Sequence, residues 1–159
     1  MTAEFKQYQQ QVCKNAKALE EEFKRLGYKL VSDGTDSHMV LLNLRDRNLD
    51  GARVEAVLEA ANISCNKNSI PGDKSALTPC GIRIGTPAAT TRGFGEEDFK
   101  RVAGYIDQCI KLAKSIQQGL PKENNKLKDF KAKVFEGVPE VQELRKEIAA
   151  WATTFPLPT

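Results

Sequence analysis

Phe5, Tyr8, Val12, Ala16, Leu19, Phe23 and Leu26 recur at steps of three and four residues, with lysines and glutamates between them. That spacing gathers them on one stripe of a long helix, which needs a partner to cover it. A second stripe, Phe99, Val102, Ala103, Ile106, Ile110, Ala113 and Ile116, follows the acidic start Gly95-Glu96-Glu97-Asp98, where the helix dipole favours carboxylates. Gly27 reads as the stop of the first helix, and Gly119 with Pro121 as the stop of the second. Asp50 can cap a shorter helix whose buried face is Val54, Val57, Leu58 and Ala61. Leu127, Phe130 and Val134 mark another. Pro139 opens a last one carrying Val141, Leu144, Ile148 and Trp151, before a proline-rich end from Phe155 to Thr159.

The segments between these helices read as strands. Tyr28 to Ser32 and Ile63 to Cys65 are short candidates, and His38 to Leu44 is rich enough in apolar residues for a central strand. Gly34-Thr35-Asp36 and Arg45-Asp46-Arg47-Asn48 are turns. In Gly81-Ile82-Arg83-Ile84-Gly85 the isoleucines alternate with the arginine, so they take opposite faces of a strand. The expected class is α+β, a small, mostly antiparallel sheet covered by helices. The 159 residues suffice for one domain with its own core, without internal repeat or linker.

Composition narrows the function. A net charge of +3 is small and dispersed, so it does not by itself point to nucleic acid. Cys13, Cys65, Cys80 and Cys109 are far apart with no C-x-x-C pair, which argues against zinc and for reduced thiols. No apolar run is long enough to span a membrane. A G-x-x-x-x-G-K-S/T phosphate loop is absent.

Residues 62–92 concentrate the chemistry. A guanidinium fixed in a strand and flanked by glycines suits two-pronged binding of a carboxylate or phosphate. The same pattern also describes a plain exposed arginine on a half-buried strand. Asn68 is equally readable as a turn residue before Pro71-Gly72. His38, the sole histidine, reads as fixing its turn through hydrogen bonds, and Lys67 and Lys74 as solvated loop residues. Two other functions fit these residues. One is a stand-alone anion- or RNA-binding module using Arg83, Lys67, Lys74 and Arg92, although no aromatics are interleaved for base stacking. The other is a structural oligomerisation domain with no ligand of its own.

Several blocks in one order narrow the choice. Gly34-Thr35-Asp36-Ser37-His38-Met39-Val40, Asn66-Lys67-Asn68-Ser69-Ile70-Pro71-Gly72-Asp73, Gly81-Ile82-Arg83-Ile84-Gly85-Thr86-Pro87-Ala88 and Thr91-Arg92-Gly93 resemble the C-terminal domain of serine hydroxymethyltransferases. The similarity continues through Leu127-Lys128-Asp129-Phe130 to Trp151, and is greatest to the eukaryotic, fungal-like cytosolic form, with a mitochondrial form as the alternative. The resemblance implies the small-domain fold of fold-type I pyridoxal-phosphate enzymes, with residues 1–159 a single C-terminal domain of a longer chain. It implies exchange of a one-carbon unit between serine and tetrahydrofolate, giving glycine and 5,10-methylenetetrahydrofolate. Arg83 matches the arginine that holds the amino-acid carboxylate, and Asn68 the asparagine that contacts the folate pterin. The lysine that binds pyridoxal phosphate, and the acidic partner of its ring nitrogen, belong to the family's large domain upstream. No cofactor is therefore expected on this chain alone, nor activity, and no membrane or nucleic acid is required. The family's homodimers or homotetramers form mainly through that large domain. Cys80 departs from the family pattern, which favours a smaller residue there.

Overall fold

The computed structural model describes residues 1–121, 123 and 125–157. Helix α1 (Ala3–Arg25) starts at Thr2, whose hydroxyl accepts the Phe5 N–H at 3.2 Å. It ends at Gly27, with φ of 78°, a value that a side chain disfavours. Its stripe is only partly covered: Val12, Ala16, Leu19 and Phe23 are buried, whereas Phe5 remains 47% exposed.

Four strands form one antiparallel sheet in the order β1-β2-β4-β3. They are β1 (Lys29–Leu30), β2 (Met39–Asn43), β3 (Asn66–Asn68) and β4 (Gly81–Gly85). Helices α2 (Gly51–Ala60), α3 (Pro87–Thr91), α4 (Glu96–Gly119), α5 (Leu127–Gly137) and α6 (Pro139–Ala152) complete the fold. Leu19, Phe23, Leu42, Leu44, Leu58, Ile82, Phe99, Ile106 and Phe130 form the centre of the core. Helices α1 and α2 lie against the sheet, α4 packs against both of them, and α5 and α6 pack against α2 and α4. This is the expected α+β arrangement. Among the described residues no helix is long and apolar enough to cross a membrane.

Three local expectations need correction. The first strand is only two residues long, because Ser32 (φ 63°) and Asp33 (φ 52°) turn left-handed and bend the chain into a 3-10 turn, Val31–Asp33. The strand expected at Ile63 to Cys65 lies three residues later, after Asn62 (φ 64°) has turned the chain. The third is α3, which had no place in the sequence reading. It is a single short helix begun by Pro87, too brief to display a stripe. Of the proline-rich end, Pro158 and Thr159 lie outside the described residues.

Buried polar groups join α1 to the segment after β4. The Asn15 carboxamide donates to Thr90 Oγ1 at 2.8 Å and to the Phe94 carbonyl at 2.9 Å. The Thr86 hydroxyl lies 2.8 Å from the Val12 carbonyl and 3.1 Å from that of His38. Such satisfied contacts fix orientation in a way that apolar packing alone does not.

Candidate functional site

Strand β4 has one face in the core and one open. Ile82 and Ile84 are buried, whereas Arg83 is exposed between them. Across the open face Arg83 pairs with Leu41 of β2 on one side and Asn66 of β3 on the other. A recess of about 360 Å³ runs beside it, lined by His38, Met39, Ser64, Cys65, Asn66, Arg83 and Gly85. Among the described residues the Arg83 guanidinium has no ion-pair or hydrogen-bond partner, so its full fork faces the recess.

The flanking glycines differ in purpose. A Cβ on Gly81 would stand 2.5 Å from both the Asn68 carbonyl and Ile70 Cγ2, so the close approach there is made by the protein's own chain. A Cβ on Gly85 would meet nothing nearer than 3.7 Å, and this glycine lines the recess.

Asn68 is half-buried on the same face as Asn66, opposite Gly81, and does not line the recess. Its amide nitrogen donates to the Ser69 carbonyl at 2.8 Å, leaving the side-chain oxygen and the second N–H unused. Lys67 points the other way: its ammonium meets Glu55 of α2 at 3.1 Å. This is its structural role, in place of the solvated one expected from sequence. The His38 turn is held through that residue's backbone carbonyl, which accepts from the N–H and hydroxyl of Thr86, while the imidazole faces the recess. Asn66 and His38 both fall in the motif blocks, but no site role was read for Asn66 or for the His38 ring. The available signals for Asn66 are its place in that block and its two-residue spacing from Asn68.

The loop from β3 to β4 is anchored at its base by Asp73. One carboxylate oxygen accepts the N–H groups of Ile70 and Cys80, each at 2.9 Å, and the other accepts Arg45 at 2.9 Å. Burial alone would raise the Asp73 pKa, but these hydrogen bonds pull it down to about 2. Burial pushes the Cys65 thiol up to about 12, with Glu55 adding to the effect, so it faces the recess as a neutral group and not as a nucleophile.

Two of the four cations considered for a polyanion surface are engaged within the fold. Lys67 is paired with Glu55, and Arg92 donates to the carbonyls of Ala152, Phe155 and Pro156 at 2.6, 3.0 and 3.1 Å. The recess also lacks the groups that hold pyridoxal phosphate. Among the described residues no lysine lines it to take the aldehyde, and no aspartate or glutamate to face the ring nitrogen. The residues present do not fit that cofactor by themselves.

By fold and by site this is an α+β domain with a guanidinium, a carboxamide and a hydroxyl lining a recess on an open sheet face. The family model described as serine hydroxymethyltransferase matches residues 1–106. A relative from Aspergillus fumigatus, named cytosolic serine hydroxymethyltransferase, is 78% identical over 158 residues, which cover 99% of this chain and 34% of that protein. The cytosolic relative from Saccharomyces cerevisiae is 62% identical over 156 residues, 98% of this chain and 33% of its own. A mitochondrial relative from Schizosaccharomyces pombe is 54% identical over 160 residues, covering 99% and 33%. The chain belongs to the serine hydroxymethyltransferase family. It spans about a third of the length of the curated relatives it matches.

Proposed function

We propose that this chain is the C-terminal domain of a pyridoxal-phosphate-dependent serine hydroxymethyltransferase of the cytosol, and that it supplies the substrate-carboxylate arginine, Arg83, and a folate contact, Asn68. The whole enzyme interconverts serine and tetrahydrofolate with glycine and 5,10-methylenetetrahydrofolate. The observation that carries this reading is the Arg83 guanidinium, unpaired among the described residues and held on an open strand beside a recess. A guanidinium fork takes both oxygens of a carboxylate and so fixes how the amino acid is presented to the cofactor, an orientation effect. The compartment follows the names of the cytosolic relatives. The cofactor, its lysine and the main subunit contacts of a dimer or tetramer are assigned to the part of the enzyme beyond this chain, which is consistent with a recess that contains no amine. On that reading the isolated chain is inactive.

The test titrates serine and glycine into the family-length enzyme carrying this chain, following cofactor absorbance. Arg83→Ala is expected to abolish detectable binding while the cofactor stays bound. Arg83→Lys is expected to fail nearly as badly, since an ammonium is a point charge without the fork. The loss is about 2–5 kcal/mol for a partly dry charge-assisted pair. Saturation of the lysine variant at the wild-type concentration would overturn the assignment.

A further inference from the structure

Ser64, which borders the Arg83 recess, also borders a second space of about 310 Å³ between α3, α4 and α6. Its floor is apolar and buried, made by Phe94, Tyr105 and Ile148. Trp151 is a half-buried wall, and Asn62, Ser64 and Ala88 form an exposed rim. Protein interiors keep few voids larger than a water molecule, so a space of this size is a pocket and not slack in the packing. Sites for small molecules begin at roughly 300 Å³ and are mostly apolar, with a few polar groups that orient the ligand.

The rings around it are splayed. Trp151 stands 5.2 Å from Phe94 at 61° and 5.6 Å from Tyr105 at 51°. Phe155 folds back on Phe94 with centroids 4.0 Å apart. Rings set at such angles leave faces and edges to receive one more ring, edge-to-face or offset. The Tyr105 hydroxyl is already engaged, donating to Glu147 and accepting from Arg101, each at 2.9 Å, so only its ring is offered to the pocket.

Two guanidiniums border this aromatic cluster, and they differ. Arg101, whose guanidinium carbon lies 4.7 Å from the centre of the Trp151 ring, has Glu147 at 3.8 Å as its counter-charge. Arg92 lines the pocket and meets only neutral carbonyls: Nε donates to Pro156, and Nη2 to Ala152 and Phe155. Among the described residues no carboxylate pairs with Arg92, and its Nη1 has no partner. A half-buried cation without a counter-charge, set beside apolar surface, is complementary to an anion that carries an apolar body.

We propose that this pocket is a binding site for a flat aromatic carboxylate of one or two rings, with its ring seated among Phe94, Tyr105 and Trp151 and its carboxylate against Arg92. The site does not depend on the role given to Arg83.

The test uses the 159-residue chain, in which Trp151 is the sole tryptophan, so its indole N–H is a single nitrogen–proton resonance inside the pocket wall. 2-Naphthoate is titrated in parallel with 2-naphthamide, an uncharged analogue of the same shape. Naphthoate is expected to shift the indole resonance saturably, and naphthamide to bind about tenfold more weakly. Ala88→Leu, placed on the exposed rim, is expected to abolish the shift while the rest of the spectrum keeps its folded dispersion. Arg83→Ala is expected to bind naphthoate as the wild type does, whatever it does to serine. An indole resonance that naphthoate leaves unmoved overturns the proposal, and so does equal affinity for the amide, a comparison that needs no substitution. A saturable shift that survives Ala88→Leu also overturns it. A shift lost in Arg83→Ala would place the carboxylate in the strand recess and overturn it as well.

Discussion

Glu55 holds Lys67 twice: one carboxylate oxygen accepts its backbone N–H at 3.0 Å, and the other meets its ammonium at 3.1 Å. The first bond occupies an outward N–H of β3, the edge strand, where an unpaired donor would otherwise await another chain. The ammonium contact is partly exposed and adds little, but the bond to the N–H is charge-assisted. Glu55→Ala is expected to cost about 1–2 kcal/mol. Hydrogen exchange should accelerate at Asn66, Lys67 and Asn68 while α1 and α4 stay protected. Unchanged protection of those three amides would mean that the clamp is dispensable.

Gly81→Ala and Gly85→Ala are expected to part company. The Cβ at position 81 would stand 2.5 Å from the backbone carbonyl of Asn68, so β3 must shift or β4 must bend. Overpacking of this kind costs about 1–3 kcal/mol. At Gly85 the nearest atom is 3.7 Å away, and only a small loss is expected. Urea unfolding of both variants checks this. Equal midpoints would contradict the close approach at Gly81.

Asp73 should make the β3–β4 loop acid-sensitive. Its folded pKa, about 2, lies below the ordinary value of 3.8, so its contribution is fully present above that value and is lost as pH falls toward 2. Amide exchange at Ile70 and Cys80 should therefore rise on acidification through that window. Asp73→Asn is expected to show faster exchange at neutral pH and to lack the acid step. An identical acid step in the variant would assign the transition to another carboxylate, with Glu20, also held at about 2, the first to examine.

In the family-length enzyme, Asn68→Ala should weaken tetrahydrofolate more than serine, by about 1–3 kcal/mol. With one N–H given to Ser69, Asn68 still offers its side-chain oxygen and its second N–H. If folate affinity is kept and only thermal stability drops, Asn68 is a turn residue.

Phe5, 47% exposed at the start of α1, should make the isolated chain weakly self-associating, since an uncovered aromatic on a helix stripe favours contact. Sedimentation velocity should show concentration-dependent mass that falls with Phe5→Ser. The same preparation mixed with pyridoxal phosphate should develop no stoichiometric lysine-linked absorbance. A monodisperse monomer at high concentration counts against the first expectation, and a band lost with one lysine substitution against the second.

The helices were legible because each long one carries its core contacts as a repeated stripe, as Phe99, Ala103, Ile106 and Ile110 do. The same holds for β4, whose alternation of Ile82, Arg83 and Ile84 separates core from open face within five residues. β3 was misplaced because Asn66, Lys67 and Asn68 carry no apolar signal. That strand is held by backbone pairing and by Glu55, eleven residues before it begins and on another element. β1 was read too long because left-handed Ser32 and Asp33 leave no mark in hydrophobic pattern. The neighbourhood of Arg83 depends on register across three strands, which no local spacing encodes.

Strand β4 is held at both ends. At its start, the N–H of Gly51 bonds the Pro79 carbonyl at 2.6 Å and that of Leu44 bonds the Cys80 carbonyl at 2.8 Å. Just past its end, Thr86 is bonded to His38 and Val12. The main chain under Arg83 thus has almost no play, and any accommodation of amino acids of different bulk must come from rotation about the bonds of the arginine side chain. The site should behave as a stiff rail with a hinged grip, so that exchanging glycine for serine in the family-length enzyme changes guanidinium order while the β4 amides keep their chemical shifts.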